Sequence, residues 1–186
     1  TSTLAIAAAT VLLSAVIGSF LGLFAGLRRG WVAEVILRAA DVIMSLPSLL
    51  LAMAVLYVLG TSATNVVIVL AITRIPVFLR TIYAEVLEIR ERMFVTAATT
   101  IGASEGRILF RHMAPAILPS LLTLATLDFA LVMLTESGLS FLGLGLQPPA
   151  ITWGLMVSEG RNYLVQAWWI SVWPGLAITL TTLSLT

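Results

Sequence analysis

Apolar residues in this chain come in long runs separated by shorter polar stretches, and the runs predict helices that cross a membrane. About 20 mainly apolar residues are needed for a helix to span the hydrocarbon of a bilayer. Five runs qualify, from about Leu4 to Leu27, Asp41 to Leu59, Asn65 to Tyr83, Ala116 to Ser137, and Val165 to the end. Pro47 lies inside the second, and Arg74 and Pro76 interrupt the third, which is the weakest. Hydrocarbon offers unpaired backbone groups no partner, so helices are the expected form. The alternating pattern of a membrane barrel is absent. The expected fold is all-α, a polytopic membrane helix bundle of about five transmembrane helices, with residues 1–186 forming a single transmembrane domain.

Composition agrees and narrows the chemistry. Sixty per cent of the 186 residues are hydrophobic, 10% are charged, and the mean hydropathy is +1.08. A soluble domain carries about 25% charged residues. All ten cations are arginine, so a phosphate-binding loop with its lysine is excluded. Without cysteine and with a single histidine, neither thiol chemistry nor a His-rich metal site is available. Near-neutral net charge argues against a nucleic-acid partner. The chain starts at Thr1 and stops inside the apolar run LTTLSLT, as expected of part of a longer polypeptide. The first run is too long, and lacks the basic front, for a signal peptide.

Arginine placement predicts orientation. Arg28, Arg29 and Arg38 fall between the first two spans, and Arg80, Arg90, Arg92, Arg107 and Arg111 fall around the loop between the third and fourth. The opposite loops hold only Arg161. Arginine-rich loops stay cytoplasmic, so the segment from about 84 to 115 is expected inside and the loop from about 138 to 164 outside. The external loop mixes Phe141, Leu142, Leu144 and Leu146 with the turn formers Gly143, Gly145, Pro148 and Pro149. It should fold back against the bundle. Trp153, Trp168, Trp169 and Trp173 suit an interfacial aromatic belt.

The cytoplasmic segment has helical structure of its own. Ile82, Val86, Ile89 and Met93 recur at three- and four-residue spacing and extend the third span as an amphipathic helix. Glu88 precedes Arg92 by four residues, a stabilising pair. In VTAATTIGASEGR, Ala97 and Ala98 are small, Gly102 should end a short helix, and Ser104 can cap the next. A short helix with small side chains lets another protein approach closely. The same residues also serve a tight cytoplasmic turn, and spacing alone does not choose between the two.

The pattern Ala97-Ala98-x-x-x-Gly102, with Pro115 thirteen residues after the glycine, resembles the E-A-A-x-x-x-G-x₉-I-x-L-P loop of permease subunits of binding-protein-dependent ABC importers. Thr96 stands where that family has an acidic residue, and His112 and Ala114 stand where it often has Ile and Leu. Arg111-His112 is similar to the R-H of the peptide-transporting branch. So are Asp41 with Pro47-Ser48-Leu49-Leu50, Ala125-Thr126-Leu127-Asp128, Ser140-Phe141-Leu142-Gly143-Leu144-Gly145, Gln147-Pro148-Pro149, Trp153-Gly154 and Trp173-Pro174-Gly175. The resemblance covers nearly the whole chain and is nearest to the second, C-type permease of dipeptide/oligopeptide importers, with nickel permeases as siblings. It implies the ABC importer type I permease fold, one further span upstream, a short cytoplasmic tail, and a bacterial plasma (inner) membrane location.

The resemblance also implies partners: a second homologous permease subunit in a heterodimer, two cytoplasmic ATPase subunits, an external substrate-binding protein and membrane lipid. ATP and Mg would bind the ATPases, with no cofactor on this chain, which is then a transport subunit and not an enzyme. The residues implied in ATPase coupling are Thr96, Ala97, Ala98, Gly102, Ala103 and Ser104.

Charges inside hydrocarbon cost about 2.5–3.5 kcal/mol each and must face protein or water. Arg74, Asp128 and Glu136 are therefore candidate pore-lining residues, with Glu136 expected to meet water or the binding protein. Asp41 is expected at the start of the second span, where the helix dipole favours an acid. His112 reads as an ordinary loop residue. Pro47 and Pro76 should kink their spans. The competing reading is an ion-coupled secondary transporter using Asp41, Arg74, Asp128 and Glu136. It lacks an inverted repeat and leaves the long cytoplasmic loop without a purpose. A membrane scaffold without a pore is a third possibility, and substrate choice between peptides, nickel chelates, glutathione and other small solutes is open.

Overall fold

The computed structural model describes residues 2–28 and 30–185; Arg29, counted above among the cytoplasmic arginines, and the side chains of Thr96, Thr99 and Glu105 lie outside the described set. All regular structure among the described residues is helical: α1 Ser2–Leu27, α2 Trp31–Met44, α3 Ser48–Leu59, α4 Ala63–Arg90, α5 Met93–Thr100, α6 Glu105–Ile108, a π turn Leu109–Met113, α7 Ala114–Phe141, α8 Trp153–Gly160, a 3₁₀ turn Arg161–Tyr163, α9 Leu164–Ala167 and α10 Trp169–Leu185.

Three stretches described here are long and apolar enough to cross a membrane: α1, α4, and the continuous helical run Gly106–Phe141. The second expected span is a broken pair, α2 and α3, which makes a fourth crossing if taken together. The break falls at Pro47, which cannot donate a backbone hydrogen bond. Ser45 closes α2 before it, its N–H bonded to Asp41 O at 2.8 Å and its Oγ to Val42 O at 2.7 Å. Pro76, also expected to kink its span, lies inside a single unbroken α4. Where the fifth span is expected, the structure has α10, an apolar helix of 17 residues, shorter than the three crossing stretches.

Two further boundaries differ from the sequence reading. Residues assigned to the first cytoplasmic connection fold as α2, an amphipathic helix, and Asp41 sits in its last turn, not at a helix start. There the dipole disfavours an acid, and Arg80 supplies the compensating charge by an ion pair with Asp41. The fourth span runs four residues past Ser137, to Phe141.

The chain divides into two compact units, interleaved in sequence: residues 1–13, 46–73 and 125–186 in one, 14–45 and 74–124 in the other. In the first, the loop after α7 folds back as expected. Gly143 adopts φ +83°, Leu144 N–H reaches Leu139 O at 2.9 Å, and Leu146 is buried. Leu142 stays half exposed. Of the four tryptophans of the expected belt, Trp168, Trp169 and Trp173 are exposed and Trp153 is half-buried. Ser171 Oγ donates to Val157 O at 3.2 Å, tying α10 to α8.

In the second unit α1 packs on α4 through Gly18, Gly22 and Gly26. A Cβ at Gly18 would lie 2.6 Å from Phe78 Cβ and 2.8 Å from Ile75 O, and one at Gly22 2.6 Å from Leu79 O. Small residues one turn apart let two backbones approach this closely. The G-x₃-G-x₃-G spacing is legible in the sequence, but the surface it meets is not.

Candidate functional site

The segment from 84 to 115 forms a helix, a turn, a short helix and a return. α4 carries Ile82, Val86 and Ile89 inward, and these three join Val95 and Ala98 of α5 with Ile108, Leu109, Met113 and Ile117 in one buried cluster. Leu23, Leu27, Ala103 and Leu121 pack against it. Met93, expected to extend the buried stripe, is 90% exposed. α4 ends at Arg90, and the chain turns before α5 begins, so the helical period is interrupted and Met93 starts a new helix on its outer side. Glu88 and Arg92 form the expected pair at 2.8 Å. Arg90 Nη1 donates to Gly26 O at 3.0 Å, anchoring the end of α4 to the end of α1.

α5 is eight residues long and has two unlike faces. Val95 and Ala98 are buried, while Met93, Phe94, Ala97 and Ile101 on and just after it are exposed. Its end is a glycine-terminated cap. Ile101 N–H bonds Ala97 O at 3.2 Å, Ala103 N–H bonds Ala98 O at 3.0 Å, and Gly102 takes φ +83°. A Cβ on Gly102 would meet nothing within 4 Å, so the glycine serves the left-handed conformation and not a close contact. Ser104 immediately precedes α6, its carbonyl accepting from Ile108 N–H at 3.0 Å. Of the six residues implied in coupling, Ala97, Ala98, Gly102, Ala103 and Ser104 thus fall together on α5 and its cap. Thr96 lies on α5, but its side chain is outside the described set.

Beside the cap is a recess of ≈ 370 Å³ lined by Ala98, Ile101, Ala103, Arg107, Arg111 and His112. The His112 ring meets Phe94 with centroids 6.4 Å apart. The π turn over Leu109–Met113 places Leu109 and Met113 in the core and Phe110, Arg111 and His112 outward.

The three other candidate residues lie on α4 and α7. Arg74 is partly exposed on α4. Asp128 and Glu136, on α7, are 1% and 0% exposed. The expectation that Glu136 meets water is therefore corrected. Its Oε1 accepts from Ser140 Oγ at 2.7 Å, and the hydroxyls of Thr3 and Thr152 also face the carboxylate. Thr3 Oγ1 in turn accepts from Trp153 N–H at 3.0 Å, and Thr152 Oγ1 from Leu155 N–H at 3.2 Å, capping α8. The physical reason is the surroundings: hydroxyls from three elements, and not water, border this charge-bearing group, with Oε1 hydrogen-bonded and Oε2 buried without a hydrogen-bond partner among the described residues. Sequence distance hid this grouping, since Thr3 and Trp153 are 150 residues apart.

The family model of the binding-protein-dependent transport system inner membrane component matches residues 18–186. The chain belongs to this family. Among members of the binding-protein-dependent transport family, it is 38% identical over 94% of its length to the glutathione transport system permease protein GsiD of Pectobacterium atrosepticum. It is 40% identical over 92% of its length to the probable D,D-dipeptide transport system permease protein DdpC of Escherichia coli. The chain spans 58% of the first relative and 57% of the second. Its fold matches a chain of the MetNI methionine ABC transporter, solved in inward-facing conformations, with TM-score 0.71 and 18% identity over 100% of this chain and 93% of that one. The fold of this binding-protein-dependent transport component is accordingly that of an ABC importer permease, a multi-pass helical membrane protein.

Proposed function

We propose that this chain builds half of the translocation pore of an ATP-driven importer of di- or oligopeptides and that α5 is the helix on which the ATPases act. The carrying observation is the division of α5 into two faces. Val95 and Ala98 lock it into the cluster shared with α4 and the run into α7, while Met93, Phe94, Ala97 and Ile101 stand exposed. Force on the exposed face passes to two membrane-crossing helices through a close-packed core, which transmits strain because interiors yield little.

In this reading the loop 84–115 is cytoplasmic in a bacterial inner membrane. A second, homologous permease supplies the other half of the pore, two ATPases bind ATP and Mg, and an external binding protein delivers the substrate. Thr96, Ala97, Ala98, Gly102, Ala103 and Ser104 form the coupling element. Arg74 is the pore-lining candidate with a partly exposed side chain; Asp128 and Glu136, buried within the subunit here, would reach a pore only in another conformation. The peptide assignment is supported by the named systems of the relatives and by Gln147-Pro148-Pro149 and Pro47-Ser48-Leu49-Leu50. Nickel chelates and other small solutes are the alternative cargo.

The test uses the full-length permease in its assembled importer. Gly102→Trp forces a bulky residue into a left-handed backbone at a local cost of about 1–2 kcal/mol. We expect peptide uptake and substrate-stimulated ATP hydrolysis to fall to background with membrane insertion intact. Gly102→Asn, which tolerates that conformation, should keep both. Normal uptake by Gly102→Trp would defeat the docking role.

A further inference from the structure

Beside α5 and its cap lies the recess of ≈ 370 Å³. Its walls carry Arg107 and Arg111, four residues apart, with His112 adjacent, and its apolar part is the small side chains Ala98 and Ala103 together with Ile101. Neither arginine forms an ion pair among the described residues, and both are exposed. Elsewhere in the same compact unit, Arg38, Arg80 and Arg92 each have a carboxylate partner. Ile101, the one large apolar side chain lining the recess, is 85% exposed.

We propose that this recess receives an acidic side chain of the ATPase subunit when α5 docks. The inference rests on the docking role given to α5 above and adds the chemistry of the contact. Guanidinium groups present planar donors that a carboxylate accepts two at a time. The small side chains of Ala98 and Ala103 in the lining of the recess leave the ≈ 370 Å³ open to an inserted side chain. Ala98 and Ala103 belong both to the recess and to α5 with its cap, so a protein that covers α5 also covers the arginines. Once covered they lose water, and a carboxylate is the partner that offsets that loss. Ile101 beside the arginines is an apolar side chain that a docked partner would press against, helping to exclude solvent from such a pair. An anionic lipid headgroup offers similar charge, but a bilayer surface does not account for a concavity shared with the docking helix.

The experiment compares Arg107→Glu/Arg111→Glu, Arg107→Gln/Arg111→Gln and Ala97→Trp in the full-length permease. Each is co-expressed with its partner permease and ATPases and reconstituted in vesicles of phosphatidylcholine with or without phosphatidylserine. Retention of the ATPases on the membrane subunits is measured, with size-exclusion profiles reporting the fold. The Glu pair should weaken retention about tenfold or more in both vesicle types, and the Gln pair by less, since loss of attraction is milder than repulsion. An acidic-to-arginine replacement on the ATPase docking face should restore the Glu pair. If the Glu pair retains its ATPases normally while Ala97→Trp loses them, docking at α5 stands and the acid-receiving role is overturned. If none of the variants loses them, the docking role falls as well. A loss seen only with phosphatidylserine present reassigns the arginines to lipid and overturns the proposal. Should the Glu pair fail to assemble a monodisperse permease, normal retention by the Gln pair overturns it equally.

Discussion

Glycine does two different jobs in this chain, and each has its own test. Gly102 is required for its left-handed backbone, with open space around it; Gly18, Gly22 and Gly26 are helical and required for closeness. At Gly22 a side chain would press on Leu79 O and Ile82 Cβ, at 2.6 and 3.0 Å from the new Cβ. Backbone cannot swing aside as a flexible side chain does. Gly22→Leu should therefore lower the thermal unfolding temperature of the detergent-solubilised permease, at a cost of about 1–3 kcal/mol or more. Gly102→Asn should leave that temperature unchanged, and an equal fall for both would remove the distinction. The conformational role of Gly102 was legible in the sequence, because a glycine after an alanine-rich turn is a helix-ending signal. The packing role needed the partner surface of α4.

At the scale of elements, the Glu136 grouping joins the start of α1, the end of α7 and the cap of α8. Removing the carboxylate leaves Ser140 Oγ and the two threonines around a void, and an unmade buried hydrogen bond costs about 1–3 kcal/mol. Glu136→Ala should lower the unfolding temperature clearly, and Glu136→Gln, which still accepts from Ser140, should lower it less. Equal effects would show that the hydrogen bonds are not what the residue provides. Protease cutting within 142–152 should rise in the Ala variant, because α8 loses part of its anchor. The sequence placed Glu136 at the outer end of a span and sent it to water. Charge on a helix end is a one-dimensional observation, and which hydroxyls surround it is a three-dimensional one. Asp41 shows the same limit: the residues before it, Trp31 to Ala40, fold as α2, so the acid expected at a helix start stands in a last turn.

For the whole molecule, the arginine distribution sets a prediction about sides. These 186 residues contain no cysteine, so in an otherwise cysteine-free importer single introduced thiols report topology without background. In intact cells, an impermeant maleimide should label Gln147→Cys and spare Ile101→Cys, and permeabilisation should expose Ile101→Cys. Both positions are exposed in the structure, so accessibility within the protein does not decide the outcome. Labelling of Ile101→Cys in intact cells would put the α5 segment outside and end its proposed contact with the ATPases.

Taken alone, the sequence determined the class of the molecule. Long apolar runs demand a low-dielectric solvent and satisfied backbones, so helices in a membrane follow from composition and length alone. The same holds for α5 and its glycine cap, whose signals lie within ten residues of one another. The motifs of the importer family were equally local and placed the chain among its relatives. Tertiary structure decided what depends on distant residues meeting: the packing of the α1 glycine stripe against α4, the ion pair of Asp41 with Arg80, the burial of Glu136, and the recess of arginines beside α5. A pattern along one chain fixes which face of a helix is apolar, but the identity of the surface that face meets is set by packing, and packing is not periodic in sequence.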